Sequence, residues 1–175
     1  MKRSILILWG VVTLAVGGWA GWYLFSAGEV PMGQRPLADE ASFREAFHRN
    51  VSNNRIVALL SPTTPVDLAV AQQLQGLLME YENDTLDAHV VWQPITQNDW
   101  APTTDAMARV WDTRARHYWD KEKKIRTLAG EGQVFLYARG AGFDRPAVRV
   151  TDRKTGVVKI REFLGTPKKM PMPGL

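Results

Sequence analysis

The chain has 175 residues and a mass of 19.7 kDa, enough for one ordinary domain and a modest appendage but not for two full domains. Its apolar share of 45% and charged share of 23% are those of a globular chain, and its net charge is +4. It contains no cysteine, which excludes a disulfide, a thiolate nucleophile, an iron–sulfur cluster and a cysteine-ligated zinc site from this sequence.

Residues 4–28 hold no Asp, Glu, Lys, Arg or His. Within them, residues 5–25 form an apolar run of 21 residues, about 31 Å long as a helix and sufficient to cross a hydrocarbon core. Lys2 and Arg3 precede the run, while Glu29, Asp39 and Glu40 follow it with Arg35 as the one early base. That bias predicts a cytoplasmic N-terminus and an exported remainder. Trp19, Trp22 and Tyr23 sit at the exit end as interface aromatics, with Trp9 near the entrance. The alternative is a signal peptide cleaved after Ser26-Ala27-Gly28; the length of the run and its aromatic end favour an uncleaved single-pass anchor. Thr13, Gly17 and Gly21 recur every four residues and so line one face, where small side chains let a second helix approach closely.

Residues 26–38 carry Gly28, Pro31, Gly33 and Pro36 and read as a linker. Ser42 and Glu45 fit a capping box for a first helix with Phe43, Ala46 and Phe47 on its apolar face. Residues 55–60 read as a buried strand, and Val66, Ala69, Val70, Leu74, Leu77 and Leu78 as one face of a helix from Thr64 to about Tyr81. A second strand covers 86–92. Thr103 or Thr104 then caps a helix reaching Val110 and Trp111. The basic stretch 121–128 is ambiguous, and residues 133–138 give the clearest strand in the chain. Residues 147–151 and 157–160 read as two strands around the turn at Asp152-Arg-Lys-Thr-Gly156. Three prolines fall within residues 167–173, so residues 166–175 form an extended tail. The order strand, helix, strand, helix, strands predicts one α/β domain over 39–165 with its first two strands parallel.

A strand followed by Ser61-Pro62-Thr63-Thr64-Pro65-Val66-Asp67 at a helix start resembles the thioredoxin-like superfamily, whose membrane-anchored bacterial members carry a Ser-Pro-Thr-Cys-Pro-x-Cys type of sequence there. Val90-Val91-Trp92-Gln93-Pro94 and His117-Tyr118-Trp119-Asp120 extend the likeness over roughly residues 50–160. The resemblance implies a βαβαββ thioredoxin-like domain after one transmembrane helix, in a bacterial inner membrane with the domain in the periplasm. It also places Thr64 and Asp67 at the two cysteine positions, and Gly132-Gln133-Val134 where such proteins usually have a cis-proline. Without sulfur, dithiol exchange is excluded. From the residues themselves, Thr64 reads as an N-cap, Pro65 as the first helical residue, and Asp67 as the partner in a capping box near the positive end of the dipole.

Asp112, His117 and Asp120 could bring an imidazole and two carboxylates together, but no histidine pair has ligand spacing, and no metal or cofactor is expected. Ser61 lacks a nucleophile elbow, and no glycine loop cradles phosphate. Charge divides along the chain: residues 29–108 hold 4 bases and 11 acids, and residues 109–175 hold 16 bases and 7 acids. The basic half offers Arg114, Arg116, Lys121, Lys123, Lys124 and Arg126 as a candidate contact surface for anionic headgroups or an acidic protein. Of the tryptophans outside the anchor, Trp100 is the best placed for an exposed contact.

These features predict a chain that is not an enzyme: a redox-inactive, membrane-anchored accessory subunit. Its partners would be the bilayer and other membrane-protein subunits, met through the helix and the exported domain, in a respiratory or photosynthetic assembly and without nucleic acid. The alternatives are a ligand-binding protein or non-redox enzyme using the cleft near Thr64, Asp67 and Gln133, or a transient membrane-tethered assembly factor.

Overall fold

The computed structural model describes residues 34–36, 40–82, 85–96, 99–130, 133–152 and 155–167. The expected anchor, with Thr13, Gly17, Gly21, Trp19, Trp22 and Tyr23, lies outside the described residues, as does the tail beyond residue 167. No helix among the described residues is long and apolar enough to cross a membrane.

In chain order the elements are β1 (Gln34–Pro36), α1 (Glu40–His48), β2 (Asn54–Leu60), α2 (Pro65–Glu80), β3 (Leu86–Trp92), α3 (Thr104–Met107), β4 (Ala115–Trp119), α4 (Lys124–Ala129), β5 (Val134–Tyr137), β6 (Val148–Val150) and α5 (Gly156–Leu164). The strands form one mixed sheet in the order β1-β4-β3-β2-β5-β6. β1, β4, β3 and β2 are parallel to one another, and β5 and β6 continue the sheet antiparallel on the other side of β2. The unit β2-α2-β3, joined to β5-β6-α5 with β2 and β5 adjacent, is a thioredoxin-like arrangement. The segment α3-β4-α4 is interposed between its halves.

β2 is apolar on both faces because helices cover both. Ile56, Ala58 and Leu60 pack with Ala88, Val90 and Trp92 of β3 under α2 and α5, while Val57 and Leu59 meet Phe43, Phe47, Ile125, Phe135 and Phe143 on the α1 side. Leu77 and Leu78 of α2 are fully buried, each stabilising the fold by about 1.5–3 kcal/mol. A buried arginine, Arg55, fastens the second layer: its guanidinium donates to the carbonyls of Phe47, Ala138 and Ala141 and lies over the Phe47 ring.

Four expectations are corrected. Residues 157–160 are helix, not strand: Gly156 and Ile160 are buried while Val158 is exposed, the spacing of a helix face against α2. β1 occupies part of what reads as a linker, because three residues suffice to pair along β4. β4, unforeseen as a strand, and α4, in the ambiguous basic stretch, make the domain longer than βαβαββ. The helix capped by Thr103, whose hydroxyl accepts from the Ala106 amide, ends at Met107, and Trp111 is exposed.

Candidate functional site

Because β2, β3 and β4 are parallel, their carboxyl ends and the loops that follow gather at one end of the sheet, the usual place for a binding crevice in α/β folds. A crevice of about 580 Å³ opens there, lined by Ser61, Thr64, Asp67, Gln93, Pro94, Ile95, Lys123, Arg126, Gln133 and Thr151 above Leu59 and Leu60.

Its floor is held by Asp67, 5% exposed, in the first turn of α2. One carboxylate oxygen accepts from the Ser61 amide at 2.8 Å and the other from the Gln133 side chain. The expected capping box is therefore not the arrangement found. Asp67 reaches back to residue 61 and across to Gln133, whereas Thr64 makes no side-chain cap bond and its buried Oγ1 has no hydrogen-bond partner among the described residues. Pro65 does open the helix. Gln133 is tied on its backbone as well, donating to Val150 O and accepting from Leu59 N, so the bridge joins α2, β2 and β5. Of the residues named from sequence, Ser61, Thr64, Asp67 and Gln133 are brought together here, and Lys123 and Arg126 of the candidate basic surface line the same crevice.

The wall opposite is built from the turn after β4. Asp120, 3% exposed, accepts from Gln93 Nε2 and from the amides of Lys124 and Ile125, anchoring the first turn of α4 to the loop after β3. That turn puts Lys123 at φ 55°, the one non-glycine residue with positive φ among those described, and Lys123 Nζ donates to Ile95 O at 3.2 Å. The rim loop is knotted by Asp99, which accepts from the amides of Ile95 and Thr96 and from the hydroxyls of Thr96 and Thr63. The Thr96 hydroxyl and Ile95 amide hold the Asp99 carboxyl below its ordinary range. The knot leaves Ile95 53% and Trp100 85% exposed.

Asp112, His117 and Asp120 do not converge. Asp112 pairs with Arg114 at 2.7 Å, and Asp120 serves the turn just described. His117, buried, accepts from Trp92 Nε1 at 3.0 Å, so its other nitrogen carries the proton and donates to Val110 O at 2.8 Å. Burial lowers the His117 pKa. Among the described residues no group of three His, Asp or Glu side chains could hold a metal ion. The six basic residues do not form one surface. Arg114 is spent on Asp112 and on the carbonyls of Leu78 and Tyr81 at the end of α2, and with Arg116 it lies at the opposite end of β4 from Lys121, Lys123, Lys124 and Arg126. Sequence reasoning overlooked the roles of Gln93, Ile95 and Asp120; the Asp120 spacing ahead of the apolar Ile125 is the one signal that could have marked a turn capping a helix.

No family model matches the chain, and no curated protein matches it. Similar solved structures are a protein described as a thiol:disulfide interchange protein, DsbE, of Chlorobium tepidum (11% identity, TM-score 0.47, 65% of this chain and 80% of that one), and a thioredoxin-like protein of Aeropyrum pernix (13%, 0.45, 63% and 80%). A third is a secreted Mycobacterium tuberculosis disulfide oxidoreductase homologous to the E. coli DsbE (12%, 0.39, 62% and 82%). These names run against the expectation that the chain is not an enzyme, and that expectation is withdrawn: the similar proteins are enzymes, and no described residue positively marks a non-enzyme. At such identities and scores the likeness carries no argument about the activity of this chain.

Proposed function

We propose that this chain is a thioredoxin-like accessory subunit, tethered to a bacterial membrane by residues 5–25, which docks on a membrane protein assembly through the crevice end of its domain. The proposal concerns docking and makes no claim about catalysis other than sulfur exchange, for which the 175 residues supply no thiol.

One observation carries this reading. Where the resemblance puts a reactive sulfur pair, the crevice floor is closed by the Asp67–Gln133 bridge; Ile95 on its lining is exposed, and so is Trp100, the neighbour in sequence of the Asp99 that ties the Ile95 loop. A preformed concave surface with large exposed apolar side chains is what a docking site requires. A tether adds to this by raising the local concentration of the second contact, so two weak contacts give firm attachment.

Purification from the native membrane in mild detergent, followed by native-size analysis and quantitation, tests the proposal. The expected result is co-migration with a partner in fixed stoichiometry; migration as a lone monomer would sink it.

A further inference from the structure

Lys123 is the anomaly of the crevice. Left-handed backbone is natural to glycine and asparagine, yet a lysine stands there, with its side chain on the crevice wall. The turn from Asp120 to Lys124 would form more easily with glycine at residue 123, so the lysine stands there against the local backbone preference.

A second cation, Arg126, lines the same wall one turn along, and among the described residues its guanidinium has no ion-pair or hydrogen-bond partner. The carboxylates at this end do not cancel these charges at the surface. Asp67 and Asp120 are buried and satisfied by donors of the domain, and Glu122 pairs with Lys124 at 2.8 Å. Asp99 is turned into its own loop. Lys123 and Arg126 thus stand on the crevice wall beside the exposed Ile95.

We propose that the crevice takes an extended acidic segment of a partner protein, its carboxylates on Lys123 and Arg126 and an apolar side chain against Ile95 and Trp100. This rests on the docking reading above and names the chemistry of the partner. Concavity decides for a protein segment over a membrane surface. A chain of carboxylates and apolar side chains can enter a crevice whose polar lining offers hydrogen bonds, whereas a flat headgroup layer meets only the rim.

The full chain in phosphatidylcholine nanodiscs is titrated with a fluorescent peptide alternating Glu with Leu and Phe, and with its Lys-for-Glu analogue. Binding of the acidic peptide alone, weakened by salt, is expected. Lys123→Glu with Arg126→Glu should weaken it by about tenfold or more, as should Trp100→Ala, while Arg109→Glu leaves it unchanged. Equal binding of both peptides, or insensitivity to the Lys123/Arg126 reversal, overturns the proposal. So does binding of phosphatidylserine vesicles through these residues with no peptide bound. The two readings fail separately: a native partner that still co-purifies with the Lys123→Glu, Arg126→Glu double variant leaves docking standing and removes this groove, while a wild-type chain that purifies alone removes docking itself.

Discussion

At the scale of single residues, two positions at the crevice carry opposite burdens. Asp67 is structural: its carboxylate satisfies a buried backbone amide and the Gln133 amide at once, and hydrogen bonds to a charged acceptor are worth roughly twice neutral ones. Asp67→Ala strands the Ser61 amide and should cost about 2–4 kcal/mol in urea denaturation. Asp67→Asn should cost about 1–2 kcal/mol, since Gln133 can turn its oxygen toward the new amide. Adding Gln133→Leu to Asp67→Ala should then cost little more; fully additive losses would show that the two side chains do not form one bridge. Lys123 is the reverse case. Lys123→Gly relieves the left-handed backbone at the expense of a more flexible unfolded chain, so stability should hold or rise by up to about 1 kcal/mol. Acidic-peptide binding should fall in the same variant. A clear loss of stability would mean that the lysine is held there for the fold.

At the scale of elements, α5 gives the sharpest test, because its sequence supports two readings. In a strand Val158 and Ile160 would share a face; in the helix they do not, and Ile160 is 2% exposed while Val158 is 52% exposed. Ile160→Lys should therefore unfold the domain or cost about 4 kcal/mol or more, with Val158→Lys within about 0.5 kcal/mol of the parent in the same melt. Equal damage at both would restore the strand. The case shows what was legible. β2, α2, β3 and β5 announce themselves because each has a long apolar run or a sustained 3.6-residue period. Residues 157–160 form too short an apolar run to separate strand from helix; packing on α2 decides. β4 was hidden because its buried side chains include His117, whose polarity is absorbed by Trp92 and Val110, partners no local pattern displays. For the crevice, the Thr64–Asp67 turn and Gln133 could be named from sequence, and Trp100 could be singled out as exposed. Asp120 and Lys123 stand out in the sequence for other reasons, but their place on the crevice wall could not be read, since it depends on β4 lying beside β3.

At the scale of the whole molecule, the acidic and basic halves of the chain do not become opposite faces. β4, β5 and β6 of the basic half flank β3 and β2 of the acidic half, so pairs such as Glu80–Arg161 cross between them. The pH response of the fold is set instead by its buried imidazoles. His89, 3% exposed, lies against Phe43, Phe47 and Tyr118, with Arg116 and Arg55 near it. Burial first, then those two cations, push its pKa from 6.5 down to about 3; burial lowers His117 as well. An unfolded chain protonates both near pH 6.5, while the folded chain keeps them neutral to lower pH. Stability contributed by the neutral state is thus complete above about pH 6.5 and is lost as pH falls toward the folded values. Between about pH 6 and pH 5 each such histidine adds up to about 1.4 kcal/mol per pH unit to the slope, before the carboxylates near pH 4 enter. Urea denaturation across that window should give a slope of about one proton taken up on unfolding from His89, with His117 adding in the same direction, and His89→Phe should remove about one. An unchanged slope in that variant would mean that the imidazole is solvated in the folded protein and that the aromatic layer around it is looser than the packing of Phe43, Phe47 and Tyr118 implies.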